Sequence, residues 1–131
     1  MKFMLLMIPQ GYGQAGPGVM PDPERVASMM EYNRSMEEAG ILVSVEGLHP
    51  RSMGARVAFA AGEPQVIDGP LIEAGESLGG FWMIQVSSLA EAIDWARRCP
   101  AAATETIEVR RVQEVEDFPE DVPQLVTGAE S

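Results

Sequence analysis

Residues 2–8, KFMLLMI, set the first condition on the fold. Apolar side chains stand on both alternating faces of this run. That is the pattern of a strand inside a sheet and covered on both sides. A sheet built around such a strand must find cover for two faces, so the other segments of the chain decide the architecture. At 131 residues the chain fits one domain, large enough to bury a core without covalent staples.

Two segments carry helical periodicity. The first spans about 22–39. Asp22 caps it, Pro23 suits the first helical position and Glu24 complements the dipole. Val26, Met29, Met30, Asn33 and Met36 follow the i, i+3, i+4, i+7 spacing, with the methionines as core filler, and Gly40 is the stop. The second helix opens at Ser88, with Glu91 three residues on as a capping box. Leu89, Ala92, Ile93 and Ala96 share a face, and Pro100 ends the helix.

Strand patterns fill the rest. In ILVSVEGL (41–48), Ile41, Val43 and Val45 point one way and Leu42, Ser44 and Glu46 the other. ARVAFAAGEPQVI (55–67) reads as a hairpin turning at Gly62-Glu63-Pro64. GFWMIQV (80–86) and TIEVRRV (106–112) complete the set, with Ile107 and Val109 inward. Residues 9–21 form a long Pro/Gly-rich loop that does not join strand to helix in the phosphate-cradling pattern, so a nucleotide loop is rejected.

The order β–α–β–hairpin–β–α–β predicts an α+β fold, a ferredoxin-like split βαβ with an inserted hairpin. Two helices cover only one face of a four-stranded sheet. Either Trp82, Ile84 and Val86 or Phe81 and Met83 would then be left wet. An exposed apolar face of that kind marks an interface, and a homodimer packed sheet to sheet is the natural solution.

The net charge of −11 argues against direct nucleic-acid binding and against anionic lipid. No apolar segment approaches the roughly 20 residues that span a bilayer. MKFMLLMI is too short for a signal-peptide core, and a single cysteine, Cys99, fits a reducing compartment, so a cytoplasmic protein is expected. Residues 114–131 hold six acidic side chains and no basic one. They read as a solvated tail, or as a segment that docks on a partner through Phe118, Leu125 and Val126.

Chemistry has few candidates. His49 is the only histidine, just past a strand end, and imidazole is the side chain best matched to proton transfer near neutral pH. Asp68 begins an Asp-Gly-Pro turn; it either bonds its own backbone or orients a nearby histidine. Glu73 and Glu76, three apart, are solvated surface or a carboxylate pair. Glu46 is a pocket candidate, and Trp82 either stacks on a ligand or fills the dimer core. Cys99 at a helix C-terminus is a poor nucleophile. One histidine with scattered carboxylates lacks metal-ligand spacing, so no metal and no cofactor is expected.

GLHP (47–50), GARV (54–57), DGPLIEAGESLGGFWMIQVSS (68–88), EAIDWARRCP (91–100) and IEVR (107–110) together resemble a bacterial DGPF-domain protein of the YCII-related family. The resemblance covers residues 1–113, leaving 114–131 as the acidic tail. Leu71 stands at the fourth position of the signature. The resemblance implies a dimeric α+β barrel. For some relatives it implies a His–Asp pair in a cleft, and for others a link to extracytoplasmic-function sigma factors. Where some relatives keep a histidine in the first helix, this chain has Tyr32 and Asn33.

Two functions are expected, beside a third reading in which the chain is a stable dimer whose function lies elsewhere. In the first, a small molecule sits in a cleft between the first helix, the sheet and the loop Asp68-Gly69-Pro70, with His49 and Asp68 as the acid–base pair and Glu46, Glu73, Tyr32 and Trp82 around them. In the second, the chain is a non-catalytic regulatory module linked to sigma-factor-dependent transcription.

Overall fold

Strand β1 (Lys2–Pro9), helix α1 (Pro23–Glu38), β2 (Leu42–Gly47), the hairpin of β3 (Ala55–Ala58) and β4 (Gln65–Asp68), β5 (Gly80–Gln85), α2 (Leu89–Arg97) and β6 (Glu105–Arg111) follow one another along the chain. The structure, a computed structural model, describes residues 1–10, 22–59, 62–68 and 77–119, with the backbone alone at Asp68. Four strands form one antiparallel sheet in the order β2-β5-β1-β6. Among the described residues β3 and β4 pair only with each other, as a hairpin inserted between β2 and β5. This is the ferredoxin-like α+β arrangement that the order of elements predicts.

The caps form where the residue types place them. Asp22 Oδ1 accepts the Arg25 N–H at 3.0 Å, and Gly40 leaves α1 at φ 75°. Ser88 Oγ accepts the Glu91 N–H at 3.1 Å. The Glu91 carboxylate reaches one residue further back than a capping box requires, to the Ser87 N–H and hydroxyl.

β1 lies at the centre, with Leu5 opposite Trp82 on one side and Val109 on the other. Phe3, Leu5 and Met7 face both helices and form the core with Trp82, Ile84, Val86, Tyr32, Met36, Ala92 and Trp95. Trp82 therefore fills the core of its own protomer rather than a dimer core.

Three inward faces differ from the sequence reading. On α1 the buried line runs Met29, Tyr32, Met36, while Met30 is 64% exposed. Both lines obey the helical period, and Tyr32 settles the rotation. Its hydroxyl donates to the Trp95 carbonyl at 2.6 Å, and its ring meets Trp82 edge-on at 5.4 Å. On α2, Trp95 joins Ala92 inside and Leu89 is left out. On β2, a bulge between Leu42 and Ser44 breaks the alternation, so Leu42 and Val45 face the core and Val43 faces solvent.

Around Tyr32 the polar groups are matched. The Trp82 indole donates to Asn33 Oδ1 at 2.6 Å, and the Arg98 guanidinium lies 4.1 Å above the Trp95 ring. Burial pushes the Tyr32 phenol well above its ordinary pKa; the neighbouring Cys99 adds to the rise and Arg98 opposes it. At the other end of α1, Arg25 clasps both Glu105 oxygens at 2.8 and 2.7 Å, tying the helix start to β6. Beyond β6, Glu114 Oε1 accepts the Lys2 N–H at 2.9 Å and Val115–Asp117 form a short 3-10 turn. Phe118 is half-buried, whereas Leu125 and Val126 lie outside the described residues.

The face opposite the helices carries Met4, Leu6, Ile8, Phe81 and Met83, all half-buried. Ser44 and Glu46 border it on β2, and Thr106, Glu108 and Arg110 border it on β6.

Tyr32→Phe removes the hydroxyl while the Trp95 carbonyl keeps the Arg98 N–H. The expected loss is about 1 kcal/mol. Tyr32→Ala also opens a cavity and costs roughly 3–5 kcal/mol. Urea unfolding checks both, read as shifts of midpoint at unchanged slope.

Candidate functional site

Past Gly47 the chain leaves the sheet next to the start of β5. The Leu48 N–H bonds to the Gly79 carbonyl at 2.9 Å, and the Gly79 N–H to the Met7 carbonyl at 2.8 Å. Two glycines make this approach feasible. A Cβ on Gly79 would stand 2.9 Å from the Pro9 ring, and one on Gly80 would stand 2.8 Å from the Glu46 carbonyl oxygen. Pro50 is buried and precedes a 3-10 turn over Arg51–Met53, closed by Met53 N–H to the Pro50 carbonyl at 3.0 Å. Gly54 then feeds β3.

Between this loop, β3 and the residues ahead of β5 lies a pocket of about 550 Å³. His49, Arg51, Ala55, Arg56, Ser77 and Leu78 are among its lining residues. His49 is exposed, and Ser77 is the buried polar side chain of the lining.

The sequence candidates separate. His49 lines the pocket. Asp68 is the register partner of Ala55, another lining residue, so its backbone stands beside the pocket. Gly69, Pro70, Glu73 and Glu76 lie outside the described residues. Glu46 is exposed on the open sheet face, opposite Phe81. Tyr32 and Trp82 are each 5% exposed and turned into the core on the helix side of the sheet. No residue of α1 is among the described lining.

Sequence reading passed over Arg51, Arg56 and Ser77. Arg51 and Arg56 flank the short segment SMGA in a strongly acidic chain, and that local reversal of charge was the available signal.

The one thiol of the chain is kept protonated by its surroundings. Burial pushes the Cys99 thiol up to about 11; Glu105 adds to the rise and Arg25 opposes it. Its sulfur lies 4.0 Å from that of Met29. Among the described residues no group of three or more His, Cys, Asp or Glu side chains is placed to hold a metal ion. None of the described helices is long and apolar enough to cross a membrane.

A four-stranded antiparallel sheet under two helices, with an inserted hairpin walling a pocket, defines a ferredoxin-like α+β protein. Within that class the match is specific. Residues 1–116 match the YCII-related domain family, and the chain belongs to it. A protein of Rhizobium meliloti (strain 1021) described as uncharacterised is 40% identical over 92 residues, covering 68% of this chain and 74% of the relative.

Gly80→Ala forces a methyl group against the Glu46 backbone and is expected to cost about 1–3 kcal/mol, read as a lowered melting temperature. Cys99 gives a pH signature. The fold keeps its thiol protonated, so that contribution is complete below the ordinary value near 9 and fades as pH rises towards about 11. Denaturation of wild type and Cys99→Ala across that range should show stability falling more steeply in the wild type.

Proposed function

We propose that the protein binds a small molecule in the pocket at His49, and that His49 serves there as general acid–base with Asp68 orienting it. The observation that carries this reading is the β3–β4 register. It sets Asp68 opposite Ala55, and Ala55 and His49 line the same pocket. A carboxylate fixes the tautomer and orientation of an imidazole and stabilises its cation. Gly69, Pro70 and Glu73 are further ligand-binding candidates of this reading, and Tyr32 and Trp82 act only through the core behind β5. Nothing among the described residues favours the sigma-factor reading over this one.

The same reading makes the protein a cytoplasmic homodimer, packed through the open sheet faces into an α+β barrel. The half-buried Met4, Leu6, Ile8, Phe81 and Met83 support it, since a contiguous apolar face of this kind is normally covered.

A crystal structure tests the acid–base pair. A His49 nitrogen and an Asp68 oxygen are expected within about 2.6–3.2 Å, or joined through one water. A separation beyond about 7 Å, across the dimer included, removes the pair. Sedimentation equilibrium tests the dimer. The wild type should run at twice the chain mass and Met83→Glu as a monomer; a monomeric wild type discards the barrel.

A further inference from the structure

We infer that the pocket selects oxyanions, so that its ligand is a small molecule bearing a carboxylate or phosphate group. This inference rests on the small-molecule reading of the pocket.

The chain carries 20 acidic against 9 basic residues, and its arginines are mostly committed to their own chain. Arg25 clasps Glu105, Arg97 meets Asp94 at 3.8 Å, and Arg110 meets Glu108 at 3.0 Å. Arg34 pairs with Glu31, Arg111 meets Asp117 at 3.3 Å, and Arg98 stacks on Trp95. Arg56 differs. It lines the pocket and has no acidic partner among the described residues. Arg51 lines the same pocket, as does the only histidine. The described lining contains no Asp or Glu, and Ser77 adds a hydroxyl donor. In a protein of net charge −11, Arg56 stands in a described lining that holds no carboxylate, so this wall of the pocket presents positive charge. Field lines concentrate in such a cleft and draw anions to it. The planar guanidinium also matches a carboxylate or phosphate with two parallel hydrogen bonds, which a neutral ligand does not return.

The test uses the full chain labelled with ¹⁵N, titrated at low salt with malonate, inorganic phosphate and, as the neutral counterpart, malonamide. Malonate and phosphate are expected to shift the Arg56 side-chain N–H and the backbone signals of residues 49–56 saturably, with affinity falling as salt is added. Arg56→Gln should weaken malonate roughly ten- to a hundred-fold. Arg56→Lys should retain part of the affinity, since charge remains and the fork is lost. Arg110→Gln on the open sheet face should change nothing. Malonamide binding as tightly as malonate, or an Arg56→Gln variant that folds and binds malonate unchanged, overturns the oxyanion inference and leaves the small-molecule reading standing. If none of the three probes shifts any pocket signal, both fall.

Discussion

The Tyr32 hydroxyl, 2.6 Å from the Trp95 carbonyl, is the contact on which the architecture turns. It joins the two helices directly, while the same ring meets Trp82 of the sheet in a T-shaped contact. A buried phenol without a partner would cost more than the bond returns, so α1 takes the one rotation that brings Tyr32 to α2. That rotation sends Met30 outward and Met36 inward. With both helices committed to the Phe3–Leu5–Met7 face, the residues between them on β1 have no helix to meet. The open apolar face is thus the other consequence of the packing that makes the core.

The pocket follows from the opposite edge of the same construction. β5 is anchored in the core by its own Trp82 and Ile84, and its first residue must pass within reach of the Glu46 carbonyl. Only a glycine passes there without displacement, so Gly79-Gly80 serves a steric purpose and carries no chemistry. The loop from Leu48 to Gly54 then has a fixed anchor at Gly79 and a turn of its own. Among the described residues the hairpin pairs with no strand of the main sheet. A two-stranded ribbon contributes little stability of its own, which leaves its side chains free to vary in kind. The basic wall, Arg51 and Arg56, is carried on this part of the chain.

Much of the frame was legible because it rests on local rules. Asp22, Ser88 and Gly40 mark helix ends through bonds spanning three or four residues, and those bonds are present. Strand order followed from the succession of elements. Faces within elements were less legible. Met29–Met30 offers two equally periodic stripes, and only a partner 63 residues away decides between them. The bulge at Val43 is equally silent in ILVSVEGL, since each residue there suits a strand on either face. The site divided in the same way. His49 stood out as a residue type, whereas Arg56 acquires its meaning from the acidic partner it lacks among the described residues, a fact about space rather than sequence.

Pocket and open face meet along one seam. Glu46 presents its carbonyl to Gly80 and its side chain to the open face opposite Phe81. One residue further on, Gly47 turns the chain towards Leu48 and the pocket wall. Anything seated on the open face therefore bears on the strand pair whose spacing sets the Leu48–Gly79 anchor. Close-packed protein interiors have low compressibility and transmit strain. At this end the backbones of β2 and β5 approach closely, since a Cβ on Gly80 would stand 2.8 Å from the Glu46 carbonyl oxygen. The two surfaces are distinct in chemistry, apolar against basic, and both adjoin the β2–β5 strand pair.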